Sequence, residues 1–179
     1  MNTADLLPDA REQLLVQDYA RRPVIDGVVL HDLVCFVDDG GYFLELSRLA
    51  QGMCERFPGF EAKQMNYSQI LPGTIKAFHL HLQQEDIWFV PPHERALVVL
   101  SDQRKDSPTA GVNMRFVLGE GKARLLYLPR GVAHGVANLW TQPATVIYFV
   151  NQQFSAENPD EGRLPWDFLG KDIWDIAKG

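Results

Sequence analysis

Residues 73–86 read GTIKAFHLHLQQED, and residues 128–139 read LPRGVAHGVANL. In an extended chain successive side chains point to opposite faces. His79 and His81 therefore share one face, while Leu80 and Leu82 take the other. Glu85 lies four residues past His81, near enough to return to the same cavity after a bend, and His134 follows the Pro129–Gly131 turn on a separate strand. Three imidazoles and a carboxylate suit a divalent transition metal, so His79, His81, Glu85 and His134 form one candidate site. The same histidines can be read as hydrogen-bonded barrel residues that hold no metal and move no proton, since buried polar groups are ordinarily satisfied. Asp86, beside Glu85, is either a second carboxylate in the cavity or a solvated charge at a strand edge. His31 and His93 have no such company and read as surface or turn residues.

Outward from these stretches the chain is a series of short apolar runs: VVLHDLVCFV (28–37), FEAKQMNYS (60–68), IWFV (87–90), ALVVL (96–100), MRFVL (114–118), RLLYL (124–128) and TVIYFV (145–150). Each has strand length. Between them stand DDGG (38–41), LPGT (71–74), VPPHER (90–95), KDSPTAG (105–111) and GEGK (119–122), where Gly and Pro supply the backbone angles of tight turns. Many short strands at near-regular spacing predict an all-β sandwich or closed barrel. One interruption, LSRLAQGMCERFPG (46–59), reads as a helix ended by Pro58 and Gly59. Residues 3–20, with Thr3 as a cap and Leu14, Leu15 and Tyr19 at helix-like intervals, predict a short peripheral helix or arm. The expected organisation is a single domain over 1–179, with an N-terminal arm or helix over 1–22, a barrel over 23–154 and a C-terminal segment over 155–179 wrapping the outside.

The 179 residues are 46% apolar and 22% charged, as expected of a globular chain able to bury its own core. A net charge of −6 leaves no basic stripe for a nucleic-acid backbone, so nucleic acid is not an expected partner. A small anion remains compatible with that charge wherever a few cations converge. Two cysteines, Cys35 and Cys54, are too few for a disulfide framework and fit a reducing compartment. The opening residues lack the basic flank and apolar core of a secretory signal, and no apolar run approaches the roughly 18 residues of a membrane span. A cytoplasmic protein is expected.

The spacing HxHxxxE followed by PxGxxHxxxN resembles the paired motifs of metal-binding cupins, including Gly73 six residues before His79. The glycine that follows the glutamate in those motifs is missing, and the chain runs IWFVPPH instead. From Val28 to Trp174 the sequence also resembles the dTDP-4-dehydrorhamnose 3,5-epimerase family, whose members are cupin barrels that need no metal. FVDDGGYFLE (36–45) is similar to the family's DxRGxFxE, and TIKAFHLHLQ (74–83) to VLRGLHxQ. LSDQRKDSPTAG (100–111) is similar to VDxRxxSPTFG, and LYLPRGVAHGVANL (126–139) to LxIPxGFAHGFxxL. VIYFVNQQF (146–154) and LPWDFLGKDIW (164–174) complete the series, in the family's order.

The resemblance implies a cupin-type antiparallel β-barrel, or jelly roll, with short peripheral helices. It also implies an epimerase or isomerase that acts on a 4-keto-6-deoxy sugar nucleotide without a cofactor. His79 takes the place of the family's general base and Tyr148 that of its general acid. An imidazole on one face and a phenol on the other suit proton removal beside a ketone and reprotonation with inversion. Lys76 stands where the family has an arginine near the developing enolate. Glu45, Asn66, Tyr67, His81, His134 and Phe154 fall at positions the family uses to line its site. The family pairs through an N-terminal strand, which implies a homodimer joined through Val24 to Val37.

The chain departs from the pattern at several points. Gly40 replaces an arginine, His81 a glutamine and Phe154 a tyrosine, and no lysine opens the strand IWFV. The aspartate that orients the family's base lies in a later segment, for which Asp172 is the available substitute. Besides the epimerase, two readings stay open: a metal-dependent cupin oxygenase or isomerase using His79, His81, Glu85 and His134, and a sugar-binding barrel without catalysis.

Overall fold

The computed structural model describes residues 2–16, 19 and 23–176. Its strands are β1 Val29–Asp32, β2 Cys35–Asp38, β3 Gly41–Leu44, β4 Leu49–Ala50, β5 Met53–Cys54, β6 Gln64–Ile70 and β7 Ile75–Leu80. They continue with β8 Asp86–Phe89, β9 Arg95–Asp102, β10 Asn113–Gly119, β11 Arg124–Leu128, β12 Val132–Ala137, β13 Ala144–Val150 and β14 Gly162–Arg163. Two five-stranded antiparallel sheets form the body, in the orders β1-β11-β8-β13-β6 and β10-β9-β12-β7-β14. The hairpins β2–β3 and β4–β5 stand outside them. Helix is confined to α1, Pro8–Gln13, and to 3-10 turns at Thr3–Asp5 and Lys171–Trp174 among the described residues.

Period-two alternation sorts each strand between an inner and an outer core. Ala96, Val98 and Leu100 of β9 meet Trp88, Leu126 and Val146 of the other sheet between the two sheets. Leu97 and Val99 face outward, where Phe78 and Trp174 pack with them. Ile87 and Phe89 of β8 likewise face outward under Cys54, Phe57 and Phe60. Runs such as ALVVL are apolar at every position because both faces are covered. The chain after β14 covers one outer face and residues 44–62 cover the other.

Two glycines of the 128–139 stretch have steric reasons to be there. A Cβ on Gly131, at φ +79°, would come within 2.5 Å of the Arg104 side chain. One on Gly135 would come within 2.4 Å of Ala77, where the pairing of β12 with β7 slips register between His134 and Val136.

The helix expected over 46–59 is not formed. The segment is the hairpin β4–β5, turning at Gln51 and Gly52 with φ of 51° and 85°. Positive φ at both central residues is the type I′ signature that matches strand twist, whereas Gly52 inside a helix would cost about 1 kcal/mol. Leu46, Leu49, Met53 and Phe57 have helical spacing, but tertiary burial of Cys54, Phe57 and Phe60 decides the outcome. At the N-terminus the helix spans six residues only. Asn2, not Thr3, caps the opening turn, accepting a hydrogen bond from Ala4 N while Asp5 accepts one from Asn2 N. Leu14, Leu15 and Tyr19 are exposed; Gln17, Asp18 and Ala20 of the expected arm lie outside the described residues.

Candidate active site

Between the two sheets lies a cavity of about 470 Å³ whose wall includes His79, His81, Asp86, His134, Tyr148 and Glu161. β7 and β12 of one sheet bring His79 and His134, and Glu161 immediately precedes β14 of the same sheet; β8 and β13 of the other bring Asp86 and Tyr148. His79 and Tyr148 thus approach the cavity from opposite sheets. Lys76 and Arg163 are the cations on the wall. Lys76 is exposed and donates to Ser68 Oγ and to the Gln69 carbonyl, each at 3.2 Å.

The His-x-His alternation holds: His79 and His81 line the cavity, Phe78 is buried on the outer face, and Leu82 is 71% exposed. The His134 ring stacks on His79 at 5.9 Å with an interplanar angle of 11°. It also lies 5.2 Å from both His81 and Trp88, edge-on to the indole. His81 Nδ1 meets the Asp160 carbonyl, and His134 Nδ1 meets the Val132 carbonyl at 3.0 Å. A carbonyl only accepts, so in both rings Nδ1 carries the hydrogen and Nε2 presents its lone pair to the cavity. Burial holds the His134 imidazole neutral, its pKa depressed to about 3.

One segment, Asp160–Arg163, secures both His79 on β7 and His81 just after it. Asp160 accepts hydrogen bonds from the backbone N–H of Leu82, Gln83 and Gln84 at 2.9, 2.8 and 2.7 Å. Burial works against its ionisation, but these bonds outweigh it and depress its pKa. Glu161 Oε2 lies 3.3 Å from His79 Nδ1, and Gly162 and Arg163 pair with Leu80 and His79. Burial and the Arg163 charge together depress the His79 pKa, against the opposing pull of Glu161. Burial raises the Tyr148 pKa, with further contributions from Asp86 and Glu161.

Asp86 resolves into the cavity. It is 3% exposed, accepts from Gln84 Nε2 at 2.8 Å and Trp88 Nε1 at 3.0 Å, and burial raises its pKa. Glu85 does not join it, which corrects the expected four-ligand set. As the neighbour of the first β8 residue it points the other way, toward Asn151, Arg130 and Tyr127. Burial and this carboxylate together push the Tyr127 pKa up to about 12. His81, Asp86 and His134 each place one ligand-type atom within 4.8 Å of the others; His79 is not part of that cluster.

Four expected lining residues stand outside the cavity wall of this chain. Glu45 pairs with Arg48 at 3.1 Å and Arg56 at 3.7 Å. Asn66 and Tyr67 are consecutive on β6 and cannot both face inward; Tyr67 is 66% exposed, and Asn66 accepts from Gln64 at 2.7 Å. Phe154 is 62% exposed. Asp172 sits in the Lys171–Trp174 turn on the outer face, so the carboxylate beside His79 is Glu161. Neither Glu161 nor Arg163 carries a local signal, since both lie in the irregular stretch ENPDEGR and reach the site through a two-residue strand.

Ser107 and Thr109 of the SPT motif do other work. With Arg104 they donate to Asp102, which is 1% exposed: Arg104 Nε at 2.8 Å, Ser107 Oγ at 2.6 Å and Thr109 Oγ1 at 2.7 Å. Arg104 also reaches the Asp26 carbonyl at 2.6 Å, tying the N-terminal segment to the barrel.

Comparison with known proteins finds relatives along most of the chain. The profile of the dTDP-4-dehydrorhamnose 3,5-epimerase family matches residues 22–169. The spore coat polysaccharide biosynthesis protein SpsL of Bacillus subtilis is 43% identical over 80% of this chain and 91% of its own. The probable low-salt glycan biosynthesis epimerase Agl13 of Haloferax volcanii is 32% identical over 81% of this chain and 90% of its own. The crystal structure of a dTDP sugar isomerase from Desulfovibrio desulfuricans superposes with a TM-score of 0.70 at 29% identity, covering 81% of this chain and 88% of that one. A jelly-roll barrel that sets an imidazole opposite a phenol, matched along most of its length by one family profile, belongs to the dTDP-4-dehydrorhamnose 3,5-epimerase family.

Proposed function

We propose that the protein epimerises a 4-keto-6-deoxy sugar nucleotide, with His79 as base and Tyr148 as acid. The observation that carries this reading is the placement of the two side chains on opposite sheets of one cavity. Inversion needs proton removal on one face of the carbon and delivery on the other. His79, its pKa held below 6.5, is neutral and able to accept at physiological pH. Tyr148, its pKa raised, keeps its proton until the enolate forms. Glu161 orients His79 from behind, as a positioning residue, and Lys76 and Arg163 offer positive charge to the enolate and the diphosphate. Neither proton transfer needs a cofactor.

The test is solvent exchange in deuterated water with dTDP-4-keto-6-deoxyglucose as substrate. His79→Asn is expected to suppress deuterium uptake beside the ketone and product formation together. Tyr148→Phe is expected to retain uptake and lose most inverted product. Undiminished exchange in His79→Asn overturns the assignment of the base.

The reading extends to assembly and compartment. The hairpin β2–β3 exposes Phe36, Val37 and Phe43, at 60, 78 and 64%, and β1 is an edge strand. A second copy pairing there would cover both features. Among the described residues no helix is long and apolar enough to cross a membrane. The free thiols of Cys35 and Cys54 suit a reducing interior, so the enzyme is assigned to the cytoplasm.

A further inference from the structure

We propose that Asp86 carries a proton in the resting enzyme and donates it, as a hydrogen bond, to the sugar's carbonyl oxygen as that oxygen becomes an enolate. Asp86 opens β8, a strand with no lysine, and is 3% exposed. In the pairing of β13 with β8, Tyr148 stands opposite Trp88 and Val150 opposite Asp86. Asp86 and Trp88 share the inward face, which makes Asp86 the diagonal neighbour of Tyr148, about 7–8 Å away along the backbone. From the facing sheet His134 Nε2 comes within 3.9 Å of Asp86 Oδ2, and the His134 ring stacks on His79. The carboxyl group is thus flanked by the acid on its own sheet and by the base's stacking partner on the other.

The hydrogen bonds around it carry no positive charge. Gln84 Nε2 donates to Oδ1 at 2.8 Å and Trp88 Nε1 to Oδ2 at 3.0 Å, and both donors are neutral. The same Gln84 nitrogen lies 3.2 Å from His81 Nε2 and offers it its second hydrogen. His81 therefore accepts at Nε2 and donates at Nδ1, to the Asp160 carbonyl, which is the bonding of a neutral ring. His134 gives its Nδ1 hydrogen to Val132 and is held neutral by burial, as is His79. The other titratable or charged groups on the wall are Lys76, Tyr148, Glu161 and Arg163. Lys76 is bonded to Ser68 and Gln69, and Arg163 pairs with His79 on the strand edge, so neither cation bonds to Asp86 among the described residues. A buried carboxylate with only neutral partners is costlier than its protonated form, and burial favours the acid here.

That proton is placed where the chemistry lacks a donor. When His79 Nε2 takes the proton from carbon, the C–H electron pair becomes a C=C bond and the carbonyl π pair moves onto oxygen. The hydrogens of Trp88 and Gln84 are spent on Asp86 and His81, those of His81 and His134 on main-chain carbonyls, and Tyr148 keeps its own for carbon. The Asp86 proton has no such commitment, since His134 Nε2 at 3.9 Å is beyond hydrogen-bond reach. A neutral carboxylic acid in a buried site is a strong donor to an enolate oxygen. When Tyr148 then protonates the opposite face, the carbonyl re-forms and Asp86 keeps its proton. An ionised Asp86 has the reverse effect, because it repels the charge that His79 creates.

This rests on the epimerase reading, and the experiment separates the two. Difference infrared spectra of the full-length wild type against Asp86→Asn at neutral pH are expected to show the C=O stretch of a protonated carboxyl group, missing from the variant. Asp86→Asn keeps a neutral donor and is expected to exchange deuterium beside the ketone within roughly tenfold of the wild type. Asp86→Leu removes the donor, and exchange and kcat are expected to fall together by roughly 10²- to 10³-fold with KM little changed. Absence of the band overturns the proposal, as does exchange in Asp86→Leu that equals or exceeds the wild type, or a loss in Asp86→Asn as deep as in Asp86→Leu. If circular dichroism shows that Asp86→Leu does not fold, the band and the Asp86→Asn rate decide. A wild type that shows the band but exchanges no sugar nucleotide fails only the epimerase reading, and one that exchanges without the band fails only the Asp86 assignment.

Discussion

His79 sits between opposing charges, and its titration can be moved in either direction. Burial and Arg163 depress its pKa while Glu161 supports it. A base must be unprotonated to act, so kcat/KM falls as pH drops below its pKa. Glu161→Gln removes the upward pull and is expected to shift the acidic limb to lower pH, with kcat reduced because the ring loses its orienting bond. Arg163→Gln removes a downward pull and is expected to shift the limb to higher pH. A pH–rate profile of the two variants checks both signs, and shifts in the same direction would contradict the assignment. His79, His81 and His134 were legible as a group because strand alternation and turn spacing are local properties, whereas Tyr148 was reached only through the family resemblance. Glu161 was not, since its contact with His79 spans 82 residues and depends on a strand too short to leave a pattern. Asp86 was half legible, because alternation separates it from Glu85 but does not say which of the two faces inward until the bend before β8 is known.

Among the strands, β2 and β3 form a hairpin with no fully buried residue. The Phe36 and Phe43 rings lie side by side with centroids 6.3 Å apart and are otherwise largely exposed. Replacing both with Lys is expected to convert a dimer into a monomer in sedimentation, with little loss of monomer stability because few contacts within the chain are lost. A wild-type monomer at micromolar concentration would overturn the dimer. The barrel strands were readable from apolar runs bounded by Gly and Pro. The β4–β5 hairpin was not, since its apolar residues fit a helical stripe equally well and only Gly52 argued otherwise. Of the family motifs, SPT proved architectural: Ser107 and Thr109 saturate Asp102 and hold a turn.

For the molecule as a whole, Asp102 links folding to pH. Its bonds to Arg104, Ser107 and Thr109 hold the carboxyl well below the usual carboxylate range. A depressed folded-state pKa contributes stability that is fully present above the unfolded value of about 3.9 and is lost as pH falls toward the folded one. The melting temperature is therefore expected to drop below about pH 4, and Asp102→Asn to flatten that drop while costing on the order of 2–3 kcal/mol at pH 7. Thermal melts across pH test this. The barrel has a core between its sheets and covered outer faces, whereas the Asp160–Arg163 segment is anchored chiefly by Asp160's three bonds and a two-residue strand. Segments rich in exposed hydrogen bonds and poor in buried contacts open at a small fraction of the global unfolding free energy. His79 and His81 both depend on that segment for their orientation, so on slow heating catalysis should fade several degrees before the β-sheet circular dichroism does, and should return on cooling without refolding.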